Sequence, residues 1–347
     1  MWVANSGFVT WWRGARRAED VLRVTAHLVD APTGTELWVE DYDRQLPDRF
    51  AIRDELVQRV AKSLNIRMQM EQVGLSVPEF NAMLPHGVGA ATSEAYDDFL
   101  QGSIYTFSWT KDGIAKGREL ERKAIALDPN YGFAYVMLGN TYVVDILQQW
   151  NQDGDLERAS QAAQKAIAVA DTNLCAFCGY ALASTVAYLK AQYDRALTYA
   201  ERAIEFDPNL SVAYLSLANA LIAEDRAEEG LAALQKAMRR DPLNRDGYLV
   251  TVAYGYTMEG RYSEAIPVLE RYISRFPHVI VAHEFLAIDF AELDQIPQAR
   301  AQLAEILRIN PQYSLDRVPP WLTHMKDQAL LRRWALDLKK SGFKVTI

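Results

Sequence analysis

Ala203-Ile-Glu-Phe-Asp-Pro208 and Ala237-Met-Arg-Arg-Asp-Pro242 are two copies of one phrase, a helical register closed by an acidic residue and a proline. Ala124-Ile-Ala-Leu-Asp-Pro129 is a third copy, and Ala166-Ile-Ala-Val-Ala-Asp171 is one that lacks the proline. Pro277 and Pro311 continue the series: the prolines at 208, 242, 277 and 311 stand 34, 35 and 34 residues apart. Pro129 precedes Pro208 by 79, close to two such steps. Proline ends a helix because it cannot extend the hydrogen-bond ladder. Self-similarity at this period means stacked helix pairs, each burying its apolar face only against its neighbours. An array of that kind presents a surface, so the pattern points to binding rather than catalysis.

Working outward from those phrases, the chain from Ser93 to Asn310 reads as helix, turn, helix throughout. In the unit that ends at Pro242, Tyr214, Leu217, Ala218 and Leu221 share a face of the first helix, and Gly230, Leu234 and Ala237 share one of the second. Tyr180, Ala183, Ser184 and Ala187, with Ala196, Ala200 and Ala203, play these parts one unit earlier. Leu286, Ala287 and Phe290, with Ala299, Leu303 and Ile306, play them in the unit that ends at Pro311. A small residue among large ones lets two helices cross closely. The unit after Tyr131 departs from the period through an insertion around Leu147 to Asp155. Beyond Pro311 the period is lost at Val318-Pro-Pro-Trp321, and Asp327 to Lys340 reads as a last amphipathic helix with Leu330, Leu331, Trp334 and Leu338 apolar. A terminal helix that covers the open end is a requirement of such arrays.

These offsets resemble the tetratricopeptide repeat over about 92–311, as five units plus a leading helix pair. The amino-terminal stretch is of another kind. Leu22 to Leu28 alternates apolar and polar residues, Asp30-Ala-Pro-Thr-Gly-Thr35 is turn chemistry, and Glu36 to Tyr42 reads as a returning strand. Phe8 to Trp12 is a third candidate strand, turning through Ala18-Glu-Asp20, and Asp48 to Leu64 a candidate helix. Arg23 to Arg44 is similar to the closing strands of a TolB-like α/β domain, and Glu94-Ala-Tyr-Asp-Asp-Phe-Leu-Gln-Gly102 matches the phrase that opens the repeats behind such domains. The resemblance implies the accessory region of bacterial class III adenylate/guanylate cyclases or of winged-helix regulators. The cyclase and winged-helix domains have no counterpart here, and the TolB-like piece lacks its first half, so a truncated or split relative, or one read from a late start codon, is expected. The expected organisation is a partial α/β module at 1–64, a linker at 65–91, the repeats at 92–311 and a capping helix within 312–347, making a mainly α superhelical solenoid.

Composition narrows the function further. Half of the 347 residues are hydrophobic, and the formal net charge of −8, with no basic cluster, argues against nucleic-acid binding by this chain alone. No apolar run is long enough to span a bilayer, and the start lacks the marks of a signal peptide, so a cytoplasmic protein is expected. Cys175-Ala-Phe-Cys178 stands alone without metal-ligand or βαβ context, and reads as helix-start packing. The histidines at 27, 86, 278, 283 and 324 are scattered. Asp41, Asp43, Asp48, Asp54 and Glu55 fit a solvated strand and a helix start. No catalytic residue, metal ligand or cofactor site is assigned. The residue after each small packing position should face the concave surface: Asn140, Thr185, Asn219, Tyr254 and Ile288. This mixed row suits a peptide or a partner helix, and it lacks the basic clamp for chaperone carboxyl termini.

Overall fold

A computed structural model describes residues 2–4, 8–18, 21–30, 36–45, 93–170, 173–206, 211–241, 245–315 and 328–343. The chain divides into two compact units, 1–80 and 81–347. In the first, four strands, β1 (Trp2–Ala4), β2 (Phe8–Ala18), β3 (Val21–Asp30) and β4 (Glu36–Gln45), form one antiparallel sheet in sequential order. The expected hairpins are there: Ala18 pairs with Val21, and Leu28 with Trp38. β2 runs further than Phe8 to Trp12. Its pairing shifts by one residue between Trp12 and Ala15, where an extra residue bulges out of the ladder. The candidate helix at 48–64 and the linker at 65–91 lie outside the described residues.

The second unit is a tetratricopeptide-type solenoid. Its helices are α1 (Ser93–Thr106), α2 (Lys111–Leu127), α3 (Gly132–Leu147), α4 (Asp155–Ala168), α5 (Asn173–Leu189), α6 (Tyr193–Phe206), α7 (Ser211–Ala223), α8 (Ala227–Arg240), α9 (Leu249–Met258), α10 (Tyr262–Arg275), α11 (Ile280–Glu292), α12 (Ile296–Ile309) and α13 (Gln328–Lys340). A 3-10 turn, Arg245–Tyr248, leads into α9. Each odd helix from α1 to α11 packs on the even helix that follows and on its odd neighbours, so the odd helices form one continuous row.

The prolines act as expected. Helices α2, α6, α8, α10 and α12 all end two residues before a proline of the periodic series. A proline ring pushes the preceding residue out of helical conformation. Asp128, Asp241, Phe276 and Asn310 accordingly adopt φ of −138°, −124°, −122° and −133°.

A second punctuation lies inside each of the five units from α3 to α12. Gln149, Ala191, Asp225, Gly260 and Asp294 have φ of 54°, 54°, 63°, 72° and 60°. The next amide in each case donates back five residues, as from Gln192 to the Ala187 carbonyl and from Arg226 to that of Leu221. This satisfies the carbonyls at the end of an odd helix and reverses the chain within a short connection.

The small positions carry the crossings. Ser184, Ala218, Ala253 and Ala287 are fully buried, as are Ala196, Ala203, Ala237, Ala265 and Ala299 of the facing even helices. Ser184 satisfies its hydroxyl by donating to the Ala196 carbonyl at 2.7 Å. α13 packs on α11, burying Trp334 and Leu338 as expected of a cap, while Arg333 pairs with Glu292 and donates to the Tyr262 hydroxyl.

Candidate functional site

One odd helix breaks the common length. α5, α7, α9 and α11 run five residues past Ser184, Ala218, Ala253 and Ala287, whereas α3 runs eight past Gly139, nearly one more turn. The connection that follows, 148–154, has seven residues where those after α5, α7, α9 and α11 have three. This is the insertion read from the sequence. The extended tip is held from below: Arg118 on α2 pairs with Asp145, donates from Nε to Thr141 Oγ1 at 3.0 Å, and lies over the Tyr142 ring.

The tip and its connection cross to the far end of the array. Gln148 Nε2 donates to the His278 carbonyl, and Gln148 Oε1 accepts from the Ile280 amide at 2.8 Å. Asn310 Nδ2 donates to the carbonyls of Gln148 and Gln149 at 3.1 and 3.2 Å. Gln149 Oε1 accepts from the Ser314 amide at 3.2 Å. Gln148, Gln149 and Asn310 are all buried, at 0, 4 and 4 % exposure. These bonds join residues 130 to 165 positions apart, in a fold whose main helix-to-helix packing is between neighbouring units.

Within the row of odd helices the crossing leaves a cavity of about 220 Å³. Thr185, Tyr188 and Leu189 of α5, Leu215, Ser216 and Asn219 of α7, and Val250, Thr251 and Tyr254 of α9 form its walls. Tyr272, Val279, Val281 and Phe285, with Leu147 and Trp109, complete the lining. Tyr254 and Phe285 stack with ring centroids 5.0 Å apart. Among the described residues, no Asp, Glu, Lys, Arg or His lines the cavity. Burial pushes the phenols of Tyr188, Tyr254 and Tyr272 up, so they stay neutral and the walls carry no charge at any ordinary pH. A charged group entering here would lose its hydration without an ionic partner.

Of the five residues expected along the concave row, Thr185, Asn219 and Tyr254 meet at this cavity. Asn219 is half-buried, and its carboxamide makes no hydrogen bond among the described residues. Thr185 is also half-buried and donates to the Ala181 carbonyl of its own helix. Asn140 lies away from the cavity with its amide on Met137 Sδ, and Ile288 is 1 % exposed within the apolar core.

The chemistry weighed for other residues takes its place around this site. Cys175 is buried near the start of α5, and burial pushes the Cys178 thiol up, away from thiolate reactivity. His283 is buried, with Nδ1 against Gln302 Oε1 and Nε2 against the Pro277 carbonyl. Among the described residues no group of three or more His, Cys, Asp or Glu is placed to hold a metal ion. Their helices include none long and apolar enough to cross a membrane. The sequence reading missed several buried carboxylates, Glu121, Glu284 and Asp289 among them. Burial raises Glu121 above the ordinary range, Glu284 to about 7 and Asp289 to about 8. Tyr313 donates to Glu284 and Thr257 to Asp289, each bond opposing the shift in part.

No protein-family profile matches the chain. A curated relative, "Putative adenylate cyclase 3" of Rhizobium meliloti (strain 1021), is 28 % identical over 154 residues, which is 44 % of this chain and 25 % of the relative. The chain therefore spans about a quarter of that relative's length. Among solved structures, the Cut9–Hcn1 assembly of APC/C superposes with a TM-score of 0.48 at 15 % identity, covering 70 % of this chain and 42 % of that one. A thermophilic TPR protein of Thermus thermophilus gives 0.41 at 17 % identity, covering 58 % and 99 %. YrrB, a TPR protein with an unusual peptide-binding site, gives 0.32 at 20 %, covering 58 % and 95 %. The fold is thus read from the chain's own geometry, and that geometry is a tetratricopeptide-type array with an uncharged cavity in its row of odd helices.

Proposed function

We propose that this chain is a protein-interaction scaffold whose partner places one uncharged, apolar side chain in the cavity between α5, α7, α9 and α11. The observation that carries the reading is Asn219. Its unengaged carboxamide stands on the wall of an uncharged, mainly apolar cavity that Thr185 also lines, where it can donate to and accept from a partner backbone. An apolar anchor flanked by a few polar contacts is how small concave sites obtain both affinity and register. Asn140 and Ile288 lie outside this proposed surface, the first away from the cavity and the second in the core.

The test is a photocrosslinking amino acid at position 219, with exposed position 201 on α6 as control, in bacterial cells. One protein captured from 219 and not from 201, and bound about 5- to 30-fold more weakly by Asn219→Ala, is the expected result, the loss of one or two hydrogen bonds being worth about 1–2 kcal/mol. Equal capture from both positions, or capture from neither, refutes it.

The named relative favours a more specific setting: the accessory region of a bacterial adenylate cyclase signalling protein, with residues 1–64 a TolB-like module, 65–91 a linker, 92–311 the repeats and 312–347 the cap. In that setting the chain is not itself an enzyme and acts in the cytoplasm. Purified protein assayed for conversion of ATP to cyclic AMP should give none. Turnover that follows the chain through successive chromatography steps would overturn this.

A further inference from the structure

We propose that the connection 148–154 is a latch that shuts the cavity, and that Gln148, Gln149 and Asn310 are its fastening. The inference deepens the partner reading, since it names what regulates access to that same site.

Three observations carry it. The first is position. Leu147 forms part of the cavity wall, and the next residue along is the one bonded to the His278 carbonyl and the Ile280 amide. A displacement of the connection therefore moves a wall of the cavity with it. The second is chemistry. The fastening consists of neutral amides bonded to backbone groups. Water can replace each such bond at small net cost, whereas the unit-to-unit packing of Ala218, Ala253 and Ala287 cannot be exchanged in this way. The third is topology. An array of neighbour contacts can lose a long-range bond without losing any unit's own core, so the latch can open while the helices stay folded.

Hydroxyl-radical footprinting of the full chain tests the latch without any partner. In the wild type, Tyr254 and Phe285 are each 3 % exposed and should be modified slowly. In Gln148→Ala, and in Asn310→Ala, their modification should rise about threefold or more, while that of Phe99 on α1 and Phe177 near the start of α5, which do not line the cavity, stays unchanged. Circular dichroism should show the helices retained. Gln149→Ala, which removes the side-chain bond to the Ser314 amide alone, should give a smaller change of the same pattern. The proposal is overturned if Tyr254 and Phe285 respond no more than Phe99 and Phe177. It is equally overturned if all four rise together, because the bonds would then hold up the whole fold. The outcome is independent of the crosslinking at position 219: a latch that opens with no captured protein leaves the partner reading refuted and the latch standing.

Discussion

Glu284→Gln should stabilise the protein at alkaline pH and leave it nearly unchanged at mildly acidic pH. Glu284 sits on α11 at 2 % exposure, Tyr313 donates to its Oε1 at 2.7 Å, and Oε2 is buried without a partner among the described residues. Burial is the larger effect, and it lifts the carboxyl from 4.5 to about 7. In the unfolded chain the group ionises near its ordinary value. Between about pH 4.5 and 7 the folded state thus keeps a proton that the unfolded state has released, and stability falls as pH rises. The slope is about 1.4 kcal/mol per pH unit, so about 3 kcal/mol is lost across the window and no more above it. Glutamine never ionises, and its NH2 occupies the place of the protonated carboxyl's hydroxyl, so the polar inventory of the low-pH state is matched. At pH 5 the two proteins should agree within about 1 kcal/mol, and at pH 8.5 the variant should lead by about 3 kcal/mol. Asp289, raised by burial to about 8, gives a slope of the same sign in both proteins and cancels in the difference. Urea unfolding followed by circular dichroism at both pH values measures it. A variant whose advantage is no larger at pH 8.5 than at pH 5 would show that Glu284 is ionised in the folded state, and would refute the reasoning.

Two further substitutions test the backbone account. Gly117→Ala should cost about 1–3 kcal/mol in a thermal melt, although helix propensity alone would gain about 1 kcal/mol. The added Cβ would stand 2.8 Å from the Gly102 carbonyl oxygen and 2.6 Å from Thr106 Oγ1, so α1 and α2 would have to part; a raised melting temperature contradicts this. Ala191→Gly should gain about 0.5 kcal/mol, the left-handed penalty of about 1 kcal/mol being partly offset by the freedom of glycine in the unfolded chain. Ala191 has φ 54° at the turn where the α9–α10 unit uses Gly260, and a lower unfolding midpoint would sink the assignment.

What was legible in the sequence was local. Prolines 129, 208, 242, 277 and 311 announce helix ends because the ring acts on the residue beside it, and Ala218 and Ala287 announce crossings because a small residue among large ones recurs at the unit period. The left-handed turn after α3, α5, α7, α9 and α11 was not legible, because Gln149, Ala191, Asp225 and Asp294 carry no common residue type and only Gly260 advertises the conformation. The fastening at Gln148 and Asn310 lies further from reach: its partners are 130 or more positions apart, and periodicity reports only neighbours. Glu284 and Asp289 sit in an apolar register that gives no hint of a buried carboxyl.

The concave row shows how these two kinds of information combine. Asn140, Thr185, Asn219, Tyr254 and Ile288 follow from one rule, the residue after each small position, and in a regular open array all five would line one groove. The rule treats the units as equivalent. The extra length of α3 removes that equivalence, because its tip reaches the start of α11 and joins the two ends of the row. The middle members, Thr185, Asn219 and Tyr254, then line a partly open cavity, while Ile288 falls within the apolar core. In place of a continuous groove there is a cavity of about 220 Å³, into which the proposed apolar side chain would fit. Shortening the insertion to the three-residue connection of the later units is therefore the change that should restore the open groove. Footprinting of Tyr254 and Phe285 should then rise at least as far as in Gln148→Ala, and a shortened chain in which both stay protected would mean that the insertion is not what encloses the space.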